Sequence, residues 1–414
     1  MMNKLIFSTL ILMTFSFTKP CFAQPVTCDC EADLIFLDSK IRKTTSYKRN
    51  FKTYDSTFLE VSPKAKLATS IYECFVLLNT LTLSINDNHS RVYGLDKGAV
   101  EDVRKDSLKF LEFKKSHLYN AYLKSNIDLD SLKKVLVVID PSEIEGIYKK
   151  EGYMTIGVFK LTNEDIYQAI VIDSEKEVWS KGEVVYTLVP FGNNYLLNVG
   201  GNLSTKRLIT YTERIENGFF LKMDFKKDLT KTNYAIELPS AETHFRDEIT
   251  SDITYIKIGS FSGFNPTLSQ AEAFYKTLEG SLTKRNLILD LRNNGGGGPR
   301  NSDLLFKILK KYLKNNSIYV ITNHNTASNA EQFTYKLSQF KNCQVFGQRT
   351  NGTLTYELEG HNFELPSGNF IIALTSKTHL DYIHLESIGI EPQVQFNLES
   401  DWINQMVNHI VEKN

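Results

Sequence analysis

Charge excess of either sign is the first thing this chain lacks. Its 48 Lys and Arg stand against 48 Asp and Glu, so no global field draws it to nucleic acid, an anionic membrane or a charged polymer. Binding has to be read from local sites. Past the N-terminus no apolar run is long enough to span a bilayer as a helix, which argues for a protein without a membrane span. There is no internal repeat and no low-complexity tract, which leaves repeat arrays and disordered linkers without support. Cysteine is scarce, five in 414 residues. The doublet Cys28-Asp29-Cys30 has no matching second pair, which argues against a zinc site.

What is present is core-forming: 42% hydrophobic and 12% aromatic residues over 414 positions suffice for two or three packed domains. Lys4, the apolar stretch from Leu5 to Phe17 and the small Ala23 before Gln24 read as a signal peptide over 1–23. The mature protein is then exported and soluble. A lipid anchor at Cys21 ranks lower, because Lys19 and Pro20 stand where small residues are expected. Export favours a disulfide, most simply Cys28 or Cys30 with Cys74. Cys343 leads a strand and reads as core.

Three regions follow. Residues 24–130 read as a helical N-terminal segment, with a buried helix over Ile71 to Leu83, a polar loop Asn86-Asp87-Asn88-His89-Ser90 and a second helix over Lys105 to Lys124. Residues 135–235 alternate in short runs and carry an Asn217-Gly218 turn, the pattern of an antiparallel β-domain. It lacks the later features of a PDZ module. Residues 240–414 change rhythm to strand, helix, strand, helix, which argues for a parallel or mixed sheet with crossover helices. Ligands of such sheets bind at the carboxyl ends of the strands.

Two motifs stand at such ends. Leu287 to Leu291 is an apolar strand that empties into Gly295 to Gly298. Ile318 to Thr322 is another, followed by Thr326-Ala-Ser-Asn-Ala-Glu331 and a helix over 329 to 339. Ser328 thus stands at a helix N-terminus, facing a loop through which backbone donors can approach an oxyanion. This is the layout of a serine hydrolase centre. A serine needs a base, and by spacing alone His89, His324 and His384 are all open candidates. Glu331, in the first helical turn, suits the helix dipole. Asp290 and Arg292 read as a structural ion pair.

Taken in order, Asp87-Asn88-His89, Leu289 to Gly297, Thr326 to Glu331, Gly347 to Gly352 and Glu386-Ser-Ile-Gly-Ile-Glu-Pro392 resemble the motif series of the tail-specific, or C-terminal processing, serine peptidases. The resemblance is close over 250–396 and loose elsewhere. It implies a ClpP/crotonase-like α/β catalytic domain, a polypeptide substrate and no metal or organic cofactor. It also implies that Ser328 is the nucleophile. One branch of the family uses a lysine just after the Gly-x-x-Thr-x-Gly motif, and here Thr353 holds that place. The tricorn-like branch instead uses a histidine from the N-terminal motif, which His89 matches, with Ser90 supporting it and Glu386 orienting the system. Asn329 stands where tricorn has an acidic residue, so that protein's preference for basic residues does not carry over. The resemblance and the hydrolase layout together assign the oxyanion donors to the N–H groups of Asn329 and Gly296.

Asn88-His89-Ser90 and Asn351-Gly352-Thr353 are both glycan acceptors by sequence, and a glycan on either loop would block this site. A bacterial source, periplasmic or secreted, avoids the conflict. The other function class is a catalytically silent peptide- or lipid-binding protein on the same fold. Joint presence of Ser328, His89 and Glu386 argues for the enzyme.

Overall fold

A computed structural model of the chain describes residues 28–95, 107–162, 165–191, 196–358 and 362–413. The expected leader, with Cys21, lies outside the described residues, as does His361. Among the described residues no helix is long and apolar enough to cross a membrane.

Side-chain caps begin each of the first three helices. Asp29 accepts from Ala32 N–H ahead of α1 (Cys30–Ile41), Thr44 from Tyr47 N–H ahead of α2 (Thr45–Leu67), and Ser70 from Glu73 N–H ahead of α3 (Ile71–Leu83). α2 kinks at Asn50, whose side-chain amide donates to the carbonyls of Ser46 and Ile85. α3 is apolar nearly all round and is the buried one, with Ile71, Phe75, Leu78 and Leu81 inaccessible. A Cys30–Cys74 disulfide joins α1 to α3, so of the two expected pairings it is Cys30 that bonds.

Asn86, with a positive φ of 50°, ends the helical run, and β1 (Arg91–Gly94) follows. The helix expected over 105–124 is shorter: α4 spans Ser107–Lys115, and positions 105 and 106 lie outside the described residues. It stops because the Asn120 amide takes the carbonyls of Lys114 and Ser116 and folds the chain into turns. The short helix α5 (Leu129–Leu136), capped by Asp128, is absent from the expectations above, although Leu129, Leu132 and Leu136 lie at helical spacing.

A six-stranded antiparallel sheet comes next, in sequential order: β2 (Gly146–Lys150), β3 (Met154–Lys160), β4 (Tyr167–Ser174), β5 (Val184–Pro190), β6 (Leu196–Gly201) and β7 (Leu208–Glu213). α3 covers one face, its Tyr72 hydroxyl meeting Thr187 and the Val199 carbonyl. Leu132 and Leu136 of α5 pack on Phe159 and Ile170. The Asn217-Gly218 turn joins two very short strands, β8 (Ile215–Glu216) and β9 (Phe219–Phe220), with both turn residues at positive φ.

The remainder is a six-stranded mixed sheet in the order β10 (His244–Glu248), β11 (Ile253–Ile258), β12 (Asn286–Asp290), β13 (Ser317–Thr322), β14 (Cys343–Gly347), β19 (Val394–Gln395). Only β10 runs antiparallel to its neighbour. Alternate residues of each central strand face opposite ways. Ile256, Leu287, Leu289 and Val320 meet the crossover helices α6 (Thr267–Leu278), α7 (Pro299–Tyr312) and α8 (Asn329–Ser338). Tyr255, Ile288, Ile321 and Phe346 meet the C-terminal helix α9 (Trp402–Lys413) through Trp402 and Met406. Burial on both sides is why these strands read as unbroken apolar runs.

Between β14 and β19 the chain adds β15 (Tyr356–Glu357), β16 (Asn362–Glu364), β17 (Phe370–Ala373) and β18 (Lys377–Thr378). β17 pairs antiparallel with β1, Arg91 opposite Ala373. That pairing carries the Asp87–Ser90 loop of the N-terminal segment to the excursion between β14 and β19 of the mixed sheet, and it had no signature in the sequence.

Candidate active site

β12 and β13 are parallel neighbours, with Asp290 opposite Ile321, so the loops leaving their carboxyl ends emerge side by side. They are strapped together: Ala327 N–H donates to the Asn294 carbonyl at 3.0 Å, and the Thr326 hydroxyl donates to the Leu291 carbonyl at 2.9 Å. Asp290 and Arg292 form a buried ion pair at 2.6 Å beneath this junction, joined by the Tyr255 hydroxyl. Their role is to fix the strand end.

Ser328 leads into α8 with φ 56° and ψ −125°, a left-handed conformation that a non-glycine residue adopts at a cost. What holds it there is Glu331. The Glu331 carboxylate accepts Ser328 N–H at 2.9 Å, Gly352 N–H at 2.7 Å and Thr353 N–H at 2.8 Å, together with the hydroxyls of Thr350 and Thr353. Burial pushes its pKa up, against the pull of those donors. From the sequence Glu331 reads as a helix-dipole partner, in a position that the family resemblance assigns to the active-site surroundings. Ser-x-x-Glu ahead of an apolar helix was the available signal.

The His89 imidazole lies across from this turn, Nε2 3.0 Å from Ser328 Oγ. Its loop is held at the backbone. Asp87 accepts the N–H of His89 at 3.0 Å and of Ser90 at 3.1 Å, plus the Ser90 hydroxyl at 2.8 Å and the Thr375 hydroxyl. Ser90 thus acts on the histidine's neighbour Asp87, with no bond to the ring. Burial is the largest influence on the His89 pKa and lowers it; the carboxylates of Asp87 and Glu357 oppose the shift and Arg91 adds to it.

Glu386 was expected to hold the tautomer of His89, and its observed contacts are different. It accepts Asn88 N–H at 3.0 Å on one oxygen, and Leu354 and Thr355 N–H at 3.1 and 2.8 Å on the other. The carboxylate therefore ties the residue before His89 to the 354–355 loop. His89 Nδ1 is buried with no hydrogen-bond partner among the described residues. Burial raises the Glu386 pKa to about 7.

Gly296 also differs from expectation. Its N–H donates to Asn294 Oδ1 at 2.9 Å, so it is already engaged. The glycine contributes room: at φ 99° a Cβ there would sit 2.8 Å from Ser328 Cβ and 2.9 Å from Asn329 N. Asn329 N–H, the first in α8, has no acceptor among the described residues and points from a helix start, where the dipole favours an anion.

The rival histidines are elsewhere. His324 is buried with Nε2 3.2 Å from the Thr212 carbonyl, and burial pushes its pKa down to about 3. His384 is exposed against the Tyr335 ring. Thr353 has its hydroxyl on Glu331 and Asn351.

Residues 252–311 and 299–396 match peptidase family S41. No curated protein sequence matches the chain. Among solved structures, a lipoprotein from Streptococcus agalactiae is similar at 14% identity, covering 95% of this chain and 100% of its own, with a TM-score of 0.39. Mature CPAF complexed with lactacystin is similar at 11% identity, with 93% and 98% covered and a TM-score of 0.46. The tricorn protease is similar at 15% identity, with 94% of this chain and 37% of the tricorn chain covered and a TM-score of 0.43.

Proposed function

We propose, from the match of residues 252–396 to peptidase family S41, that the protein is a tail-specific serine peptidase with Ser328 as the nucleophile and His89 as its general base. The observation that carries the reading is the 3.0 Å contact between His89 Nε2 and Ser328 Oγ across 239 residues of sequence. For Ser328 to donate to Nε2, the ring carries its own proton on Nδ1. His89 takes the hydroxyl proton as Oγ attacks the scissile carbonyl, then delivers it to the leaving amine. Water repeats the cycle on the acyl-enzyme.

Asn329 N–H receives the developing oxyanion, a donor of the kind whose loss costs about 3 kcal/mol of transition-state stabilisation. Glu331 and Glu386 position rather than react: the first sets the turn that carries Ser328, and the second sets the loop that carries His89. Residues 24–130 deliver the base, 135–235 form a β-domain that helps position substrate, and 240–414 carry the nucleophile. The N-terminal leader pattern supports an exported protein of the bacterial envelope acting on polypeptides.

Labelling with an active-site-directed organophosphonate tests the reading. A single adduct on Ser328, lost in His89→Ala, is the expected result. No adduct at any pH from acid to alkaline would transfer the protein to the silent binding class.

A further inference from the structure

The junction of α1 with α3 holds more than the Cys30–Cys74 disulfide. Cys28, two residues before α1, keeps a free thiol that is half-buried. Asp33 lies one turn into α1, three residues from Cys30 and so on the same face. The Cys28 sulfur, an Asp33 carboxylate oxygen and the Cys74 sulfur all lie within 4.8 Å of one another. Tetrahedral zinc, with Zn–S of about 2.3 Å and Zn–O of about 2.1 Å, sets its donors roughly 3.5 Å apart, so a contraction of about 1 Å would seat a cation. The Cys30 sulfur is not among these three mutually close atoms; it is bonded to the Cys74 sulfur, and only reduction, with the two sulfurs moving apart, would make it a fourth donor.

Asp33 supplies the independent sign. It is 0% exposed. One oxygen accepts Ser367 N–H at 2.8 Å, whereas Oδ2 is buried with no hydrogen-bond partner among the described residues. A buried carboxylate oxygen without a donor is costly and calls for an explanation. A carboxylate oxygen of Asp33 lies within 4.8 Å of the Cys28 and Cys74 sulfurs, and once the disulfide is reduced a cation would satisfy that set.

We propose that the reduced chain binds one thiophilic divalent cation of the zinc class through Cys28, Cys30, Cys74 and Asp33 Oδ2. Three thiolates and one carboxylate select zinc-like ions over magnesium or calcium. Disulfide and metal are then alternative closures of the same helix junction. A dithiol or phosphine reductant gives two electrons, with two protons from solvent, and the Cys30–Cys74 bond becomes two thiols while the reductant is oxidised. The cation next displaces three thiol protons to solvent, with no further electron transfer. Spacing in the sequence does not show such a site, because the donors beyond Cys28-x-Cys30 come from the interior of α1 and from α3.

The test uses the full mature chain in a Ser328→Ala background, so that its outcome is independent of the peptidase reading. Protein reduced anaerobically with a phosphine and desalted is titrated with Co2+, following thiolate-to-cobalt charge-transfer absorption, and with Zn2+ against a chromogenic chelator. One equivalent bound by reduced protein and none by oxidised protein is expected. Cys28→Ser and Asp33→Asn, both of which retain the disulfide and can be checked for unaltered oxidised melting, should weaken binding at least about 10-fold. If reduction unfolds the chain, Zn2+ should restore its circular dichroism in the parent and not in Cys28→Ser. Absence of a thiolate–cobalt band, equal binding by Cys28→Ser, or failure of Zn2+ to refold a reduced unfolded parent would each overturn the proposal.

Discussion

Glu331 accepts the backbone N–H of Ser328, three residues before it, at 2.9 Å, and on the same carboxylate the N–H groups of Gly352 and Thr353. The nucleophile turn and the 350–353 loop are therefore one unit. It also follows that Ser328 N–H is spent internally, which leaves Asn329 N–H as the donor proposed for the oxyanion.

Replacing Glu331 tests that unit. Glu331→Ala strands three backbone N–H groups, each costing about 1–3 kcal/mol when buried unpaired, so a loss of at least ~3 kcal/mol in denaturant unfolding is expected. Hydrolysis should fall with it. Wild-type stability in Glu331→Ala would show that the bonds carry no weight.

Ser328→Ala should abolish turnover and leave melting unchanged, because a single hydroxyl is removed and alanine meets the same backbone demand at φ 56°. Steady-state hydrolysis of a fluorogenic peptide decides it. Turnover near the wild-type level would remove Ser328 from the chemistry.

Activity should rise with pH through one group below the ordinary imidazole value of about 6.5, then level off. The sign follows from the chemistry: only neutral His89 accepts the serine proton, and burial disfavours its charged form. Glu386 does not offset this at the ring, since it is bound to backbone N–H groups. A profile of kcat/KM with its only inflection above 8 would point to a different base. His324→Ala should leave this profile in place, because that ring faces the Thr212 carbonyl.

Glu386→Ala should lower kcat far more than it changes KM, since it releases the Asn88 backbone and lets the His89 loop drift while the cleft walls stay. Glu386→Gln, which keeps one acceptor oxygen, should recover part of the loss. Unaltered kcat in the alanine variant would deny the tether a role.

Thr353→Lys in a His89→Ala background should not rescue activity. The Thr353 hydroxyl packs on Glu331, so a lysine there meets a carboxylate that favours its charged form, and an ammonium cannot act as base. Full recovery would show that the two bases are interchangeable in this site.

Much of the mixed sheet was legible in the sequence for a physical reason: parallel strands buried on both faces are apolar throughout, and the strand expected over Ile318 to Thr322 is found as β13, Ser317–Thr322. The Asn217-Gly218 turn was equally plain, because few residues besides glycine and asparagine tolerate positive φ there. Helix ends were less so. α4 halts where side-chain amides compete for carbonyls, a contest that periodicity does not register.

By itself the sequence determined the chemistry on offer: a serine at a helix start beside a glycine loop, a histidine in a polar loop far upstream, and no lysine at 353. Those are properties of residue type and local spacing. Which imidazole meets the serine was decided by the tertiary structure, through the pairing of β1 with β17, since contacts across 239 residues leave no periodic trace. Tertiary structure also decided what each acid does. A carboxylate's role depends on which donors surround it once buried, and Glu331 and Glu386 found theirs on backbone N–H groups from loops remote in sequence.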